Sequence, residues 1–184
     1  MKIEKTIIKG CCKITPPLYH DNRGFFSPVF DVVRYEKEAL PTRFERVNSS
    51  LSHQVGTLRG MHYQLPPHQE IKLVRVISGA IWDVCLDIRP NSPTFGQHCG
   101  TRLDAVNRSL FLIPEGCAHG FITLEPNTEV LYLATSIYST EKERSIRYND
   151  PKFNIQWPVT VESISDKDSN TPLFNPQYHL ENLS

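Results

Sequence analysis

Apolar and polar positions alternate through the middle of this chain, and Gly, Pro, Asn or Ser interrupts the alternation every few residues. The pattern predicts β-strands over 72–77, 80–88, 109–113, 118–124 and 129–138. The breaks fall at Ser78-Gly79, Pro90-Asn91-Ser92-Pro93 and Glu125-Pro126-Asn127. Many short strands at this spacing argue for an antiparallel sandwich or barrel, so the expected class is all-β. Residues 31–40 are the best helical candidate, and a short one. The stretch 160–184 is polar and proline-punctuated and reads as irregular structure or a short helix. No internal repeat or low-complexity stretch is present.

Strand parity sharpens the picture. Side chains alternate between faces, so Lys72 shares a face with Val74 and Val76. A lysine on an apolar face lies either near a rim or at work inside. In 80–88, Trp82, Val84, Leu86 and Ile88 face one way and Asp83, Cys85 and Asp87 the other, which implies a sheet with two chemically different faces. Arg59 and His62 differ by an odd offset, and a regular strand would point them apart. If both serve one site, Gly60 marks a bulge or twist that re-aims them.

A length of 184 residues suits one well-buried core, so a single domain over 1–184 is expected, with an N-terminal strand region at 1–20 and a tail at 160–184 packed on the barrel. Twenty basic and twenty acidic residues cancel. No overall field then draws the protein to nucleic acid or anionic lipid, and any anionic ligand must be held by local basic groups. No apolar run approaches bilayer length, so no membrane association is expected. The N-terminus lacks the long apolar stretch and cleavage site of a signal peptide, which makes the cytoplasm the default location. The five cysteines include no pair at zinc-ligand spacing. Cys85 reads as a small buried hydrophobe, and Cys117 as a packing residue in a turn.

Candidate chemistry centres on two segments, Leu58-Arg59-Gly60-Met61-His62-Tyr63-Gln64 and Pro114-Glu115-Gly116-Cys117-Ala118-His119-Gly120. Lys72 follows the first and Tyr132 the second. A metal site would want further ligands near His62, yet the same-face position two residues on is Gln64. His68 and Glu70 lie in a proline-bracketed loop and would contribute only by folding back. Proton transfer beside a carbonyl fits better. A histidine base titrates near neutrality, and an aspartate on its other ring nitrogen would fix the tautomer. Lys72 and His119 would stabilise an enolate oxygen, and Tyr132 would serve as acid on the opposite face, its phenol lowered by a nearby cation. Each also has a plain packing reading: His119 as a turn histidine, Tyr132 as a core tyrosine, Lys72 as a rim residue.

The chain resembles the dTDP-4-dehydrorhamnose 3,5-epimerase family, a branch of the cupins that works without metal. The resemblance runs from Asp21 to about Phe174. It is carried by Asp21-Asn22-Arg23-Gly24-Phe25-Phe26, the Leu58–Gln64 segment, Lys72-Leu73-Val74-Arg75, Ser92-Pro93-Thr94-Phe95-Gly96, residues 113–121, Glu129-Val130-Leu131-Tyr132 and Ser165-Asp166-Lys167-Asp168. It implies a cupin-type jelly-roll barrel with a few short helices and no cofactor. The implied reaction is epimerisation of a nucleotide-linked 4-keto-6-deoxyhexose at C3, C5 or both. By position, His62 becomes the base, Asp168 its partner and Tyr132 the acid, with Lys72 and His119 around the C4 oxygen. Arg23, Arg59, Asn48, Tyr138, Glu143 and Lys167 match positions contacting the sugar nucleotide, and Phe26 would lie against the base. Arg23 and Arg59 would neutralise the diphosphate through forked hydrogen bonds. A homodimer with N-terminal strands crossing between subunits is also implied.

The chain departs from the family pattern at two places. Pro28 stands where a glutamate commonly helps hold thymine, and Arg46-Val47 stands where Gln-Asp is usual, before a loop one residue longer. Proline offers no side-chain acceptor for thymine's ring N–H, whereas cytosine has no such N–H. A dTDP-linked and a CDP-linked sugar therefore both remain open as substrate, as do inversion at one centre and at two. A non-catalytic sugar-nucleotide-binding cupin and a metal-dependent cupin are the readings from other classes.

Overall fold

The computed structural model describes residues 1–181 and 183. In chain order the strands are β1 (Lys2–Lys5), β2 (Cys12–Thr15), β3 (Tyr19–Asp21), β4 (Gly24–Phe26), β5 (Arg46–Ser52), β6 (Thr57–Gln64) and β7 (Lys72–Ser78). There follow β8 (Ala80–Asp87), β9 (His98–Asp104), β10 (Leu110–Ile113), β11 (Cys117–Thr123), β12 (Thr128–Ala134), β13 (Glu143–Ser145) and β14 (Ser163–Ile164). The helices are short: α1 (Val32–Lys37), α2 (Asp166–Ser169) and α3 (Pro176–His179).

One sheet has the order β1-β2-β10-β7-β12-β5 and the other β13-β6-β11-β8-β9, with β14 added alongside β6. Val74, Val76, Phe111, Ile113 and Val130 of the first sheet meet Ile81, Cys85, Leu103, Cys117 and Phe121 of the second in one apolar core. This is the all-β cupin-like jelly roll. Burying such residues removes apolar surface from water, at roughly 25 cal/mol per Å², and this burial holds the two sheets face to face. Cys85 and Cys117 are packing residues of that core.

The outer faces are covered too. Tyr35 of α1, with Val29, Leu40 and Phe44, packs on Cys12, Ile14, Leu73, Leu110 and Leu112. Phe153, Ile155, Trp157, Phe174, Leu180 and Leu183 pack on Met61, Tyr63, Trp82, Val84, Leu86 and Ala118. Strand β8 is thus buried on both sides, and the face carrying Asp83 and Cys85 points into the barrel rather than to solvent.

Two element boundaries differ from the sequence expectation. The predicted 31–40 helix spans only Val32–Lys37: Asp31 caps its start by accepting from the Arg34 N–H at 3.1 Å, and Ala39 turns out of it at φ 54°. The predicted 129–138 strand stops at Ala134, because the carbonyls of Ser136 and Ile137 accept from Arg46 and Gln64 side chains instead of a neighbouring strand. A third, two-stranded sheet, β3–β4, forms an arm whose residues are all exposed.

Candidate active site

The site is built where β6 is irregular. Opposite β11, His62 pairs with His119 and Arg59 with Phe121, so three steps on β6 span two on β11. Gly60 makes this possible. Its φ is +118°, and a Cβ there would lie 2.6 Å from the Gly120 Cα. The bulge cancels the odd offset, and Arg59 and His62 line the same cavity, as the sequence required if both serve one site.

That cavity measures about 410 Å³ and is also lined by Lys72, His119, Tyr132, Lys167 and Asp168. Three cationic side chains around it face one carboxylate, which supplies a local positive field in a chain of zero net charge. A smaller adjoining space of about 60 Å³ shares His62, Lys72 and Tyr132 and adds Glu70, Tyr138 and Glu143. His62 and Tyr132 come from different sheets and reach the cavity from opposite walls.

The His62 Nε2 lies 2.6 Å from the Asp168 Oδ1, while Asp168 Oδ2 accepts from the Gly60 N–H at 3.2 Å. Asp168 is buried and sits on α2, whose N-cap Ser165 accepts from the Asp168 N–H. Burial alone would raise the Asp168 carboxyl, but bonds from His62, Gly60 and Ser165 outweigh it and hold the group below its ordinary value. That contact leaves the other ring nitrogen of His62 without a hydrogen-bond partner among the described residues.

Lys72 is buried, which decides for the interior over the rim, and its Nζ donates to the His62 carbonyl at 3.2 Å. Burial lowers its affinity for a proton, and Glu70 partly restores it. Tyr132 runs against expectation: Arg46 and Arg59 do pull the phenol down, but burial wins and the group lies above its ordinary value. A phenol so raised keeps its proton at neutral pH.

The remaining predicted residues fall in three places. Tyr138 donates to Glu143 at 2.8 Å, and Lys167 lies 2.5 Å from the same Glu143 oxygen, forming one edge of the opening. Asn48 pairs with Tyr132 across β5–β12, and its buried Nδ2 has no partner among the described residues. Arg23 and Phe26 line neither cavity. They sit on the β3–β4 arm, where Phe26 is 68% exposed and Arg23 is tied to Asp21 at 2.6 Å.

Two residues escaped the reading of the sequence. Asp83 is wholly buried, 2.6 Å from the His119 Nε2. Its signal was present in the polar positions of β8. Glu70, weighed from the sequence only as a metal ligand, does fold back, and its carboxylate meets Lys72 and Arg46. Among the described residues no group of three or more His, Cys, Asp or Glu is placed to hold a metal ion, and no helix is long and apolar enough to cross a membrane.

A cupin-like barrel that sets a carboxylate-bonded imidazole and a phenol on one cavity, with a buried lysine on the same cavity, is suited to moving protons at carbon. Comparison with known proteins agrees. The family model described as dTDP-4-dehydrorhamnose 3,5-epimerase matches residues 5–176. The chain is 42% identical to the dTDP-4-dehydrorhamnose 3,5-epimerase of Shigella flexneri over 175 residues, covering 95% of this chain and 96% of that one. The Bacillus anthracis enzyme of that name, solved with TDP and PPi bound, superimposes with a TM-score of 0.91 at 39% identity, over 94% of this chain and 99% of that one. A Legionella pneumophila dTDP-6-deoxy-D-glucose-3,5-epimerase in complex with dTDP-4-keto-L-rhamnose gives 0.88 at 42% identity, over 94% and 92%. The chain belongs to the dTDP-4-dehydrorhamnose 3,5-epimerase family.

Proposed function

We propose that the protein epimerises a dTDP-linked 4-keto-6-deoxyhexose at C3 and C5 by enolisation. The observation that carries this reading is the placement of His62 and Tyr132 on opposite walls of one cavity, with the Lys72 ammonium beside them. His62, oriented by Asp168, takes the proton from the carbon next to the C4 carbonyl. The electron pair moves onto the C4 oxygen, where Lys72 and His119 supply charge and donors. Tyr132 then delivers its proton to the opposite face of the same carbon, and solvent resets both groups. Rotation of the ring brings the second carbon to the same pair.

Arg59 and Lys167 at the cavity, joined by Arg23, take the diphosphate, and Phe26 lies along the base. Asn48, Tyr138 and Glu143 contact the sugar nucleotide. Arg23 and Phe26 line neither cavity of their own chain, and the exposed arm that carries them supports a homodimer in which each arm completes the partner's site. The dTDP preference rests on the relatives solved with TDP and dTDP-4-keto-L-rhamnose.

Pro28 supports CDP as the competing base, since it offers no side-chain acceptor to thymine. Arg46 does not add to that case, because its guanidinium is committed to Glu70 and the Ser136 carbonyl. NMR of the protein with dTDP- and CDP-4-keto-6-deoxyglucose in deuterated water reports substrate, exchanged positions and product configuration together. The expected result is deuterium at C3 and C5 of the dTDP sugar and its loss in His62→Ala. Exchange of the CDP sugar alone, or wash-in that survives His62→Ala, refutes the assignment.

A further inference from the structure

The loop Leu65-Pro66-Pro67-His68 turns back on itself, with the His68 N–H donating to the Leu65 carbonyl at 3.0 Å. It thereby delivers Glu70 to a position where its side chain is only 6% exposed. One carboxylate oxygen lies 3.4 Å from the Lys72 Nζ. The other is shared by the Arg46 guanidinium and the Gln64 amide, the latter at 3.3 Å. Gln64 is itself pinned, donating to the carbonyls of His68 and Ile137 at 2.9 and 3.1 Å and accepting from the Ser139 N–H at 2.7 Å. A carboxylate this enclosed has one acceptor site directed at a cavity residue.

An ammonium has three donors. Lys72 directs one at the His62 carbonyl and lies at ion-pair distance from Glu70, and it lines the cavity, so donor capacity remains for a ligand oxygen. A lysine this buried tends to lose its proton, and a carboxylate at ion-pair distance opposes that loss. The other titratable groups around it divide in sign: Arg46 works against its charge and Glu143 for it, while His62, His119 and Tyr132 share the cavity wall.

We propose that Glu70 is a positioning residue that holds the Lys72 ammonium charged and aimed into the cavity, with Arg46 dividing the carboxylate's attention. This rests on the reading of Lys72 as the cation at the C4 oxygen and deepens it. Glu70 lines only the small space beside the cavity and not the cavity itself. It acts through Lys72, and the Arg46–Glu70–Lys72 relay makes the charge of the cavity depend on a residue outside it.

The test uses protein labelled with 13C at the lysine ε-carbons. The Lys72 resonance is assigned by its absence in Lys72→Arg, and deuterium wash-in of dTDP-4-keto-6-deoxyglucose is followed across pH in parallel. Glu70→Gln is expected to move the Lys72 titration, and the alkaline limit of wash-in with it, down by about 1–3 pH units. Arg46→Gln is expected to move both upward. A purely structural role would lower activity in either variant without moving the titrations in opposite directions. An unmoved Lys72 titration in folded Glu70→Gln overturns the proposal. If Glu70→Gln fails to fold, Arg46→Gln decides alone, and a titration that falls or stays there also overturns it. A Lys72 titration that moves as expected while the wash-in limit stays put upholds Glu70's hold on the lysine and instead overturns the catalytic reading of Lys72.

Discussion

Replacing Asp168 with asparagine is a demanding test of the site because both carboxylate oxygens are in use. Oδ1 accepts from His62 at 2.6 Å and Oδ2 from the Gly60 N–H at 3.2 Å, both in a buried setting. Asparagine has one acceptor oxygen and one NH2 group, so it satisfies only one of them. If its oxygen faces His62, the NH2 confronts the Gly60 N–H and a buried donor is orphaned, at a cost of about 1–3 kcal/mol. If its oxygen faces Gly60, the NH2 points at His62 and forces the wrong ring nitrogen to carry the proton. Either orientation also removes the negative charge that stabilises the imidazolium formed in the reaction. A general base contributes about 100- to 10,000-fold, and the loss of wash-in is expected within that span. The assay is the rate of deuterium incorporation into the keto sugar, paired with urea unfolding. Wash-in within threefold of the parent, together with unchanged stability, refutes the argument.

Tyr132→Phe is expected to leave proton removal largely intact, so that deuterium still washes into the starting epimer, while the yield of inverted product falls by about 100-fold or more. Equal loss of both would remove Tyr132 as a separate acid. Asp87 is wholly buried, and although burial opposes it, bonds from Arg89, Ser92 and Thr94 hold its carboxyl down at about 2. Its folded value lies below the ordinary 3.8, so it contributes stability that is present above that value and lost as pH falls towards about 2. Asp87→Asn should therefore cost roughly 2–3 kcal/mol at neutral pH and flatten the acid unfolding curve in that window, as read by circular dichroism.

The strands of the barrel centre were legible as short β-type runs between turn residues, although β11 is buried along its whole length. The predicted 72–77 and 118–124 correspond to β7 (Lys72–Ser78) and β11 (Cys117–Thr123). Strand β5 was not, since Asn48, Ser50 and Ser52 turn inward on the wall that carries the cavity, and a polar inner face reads as a loop. Strand β9 was missed for a related reason: only Leu103 of its seven residues is buried. Within the site, Arg59 and His62 could be brought together on paper through Gly60, since a glycine in a strand signals a bulge. Asp168 could not, being 106 residues from His62 on a short helix with no periodicity of its own, and only the family resemblance named it. Asp83 and Glu70 had visible positions but no visible partners. Which buried acid meets which base is settled by sheet order, and parity along a single strand does not encode it.

The parallel pairing of Ser163 and Ile164 with Thr57 and Leu58 places α2 against the start of β6. The carboxylate that meets the imidazole therefore rides on a helix that a two-residue strand anchors to β6. Unpairing those two residues would release Asp168 without touching the pairing of β6 with β11. Lys167 would leave with it, so the cavity would lose a cation and its histidine's partner in one movement.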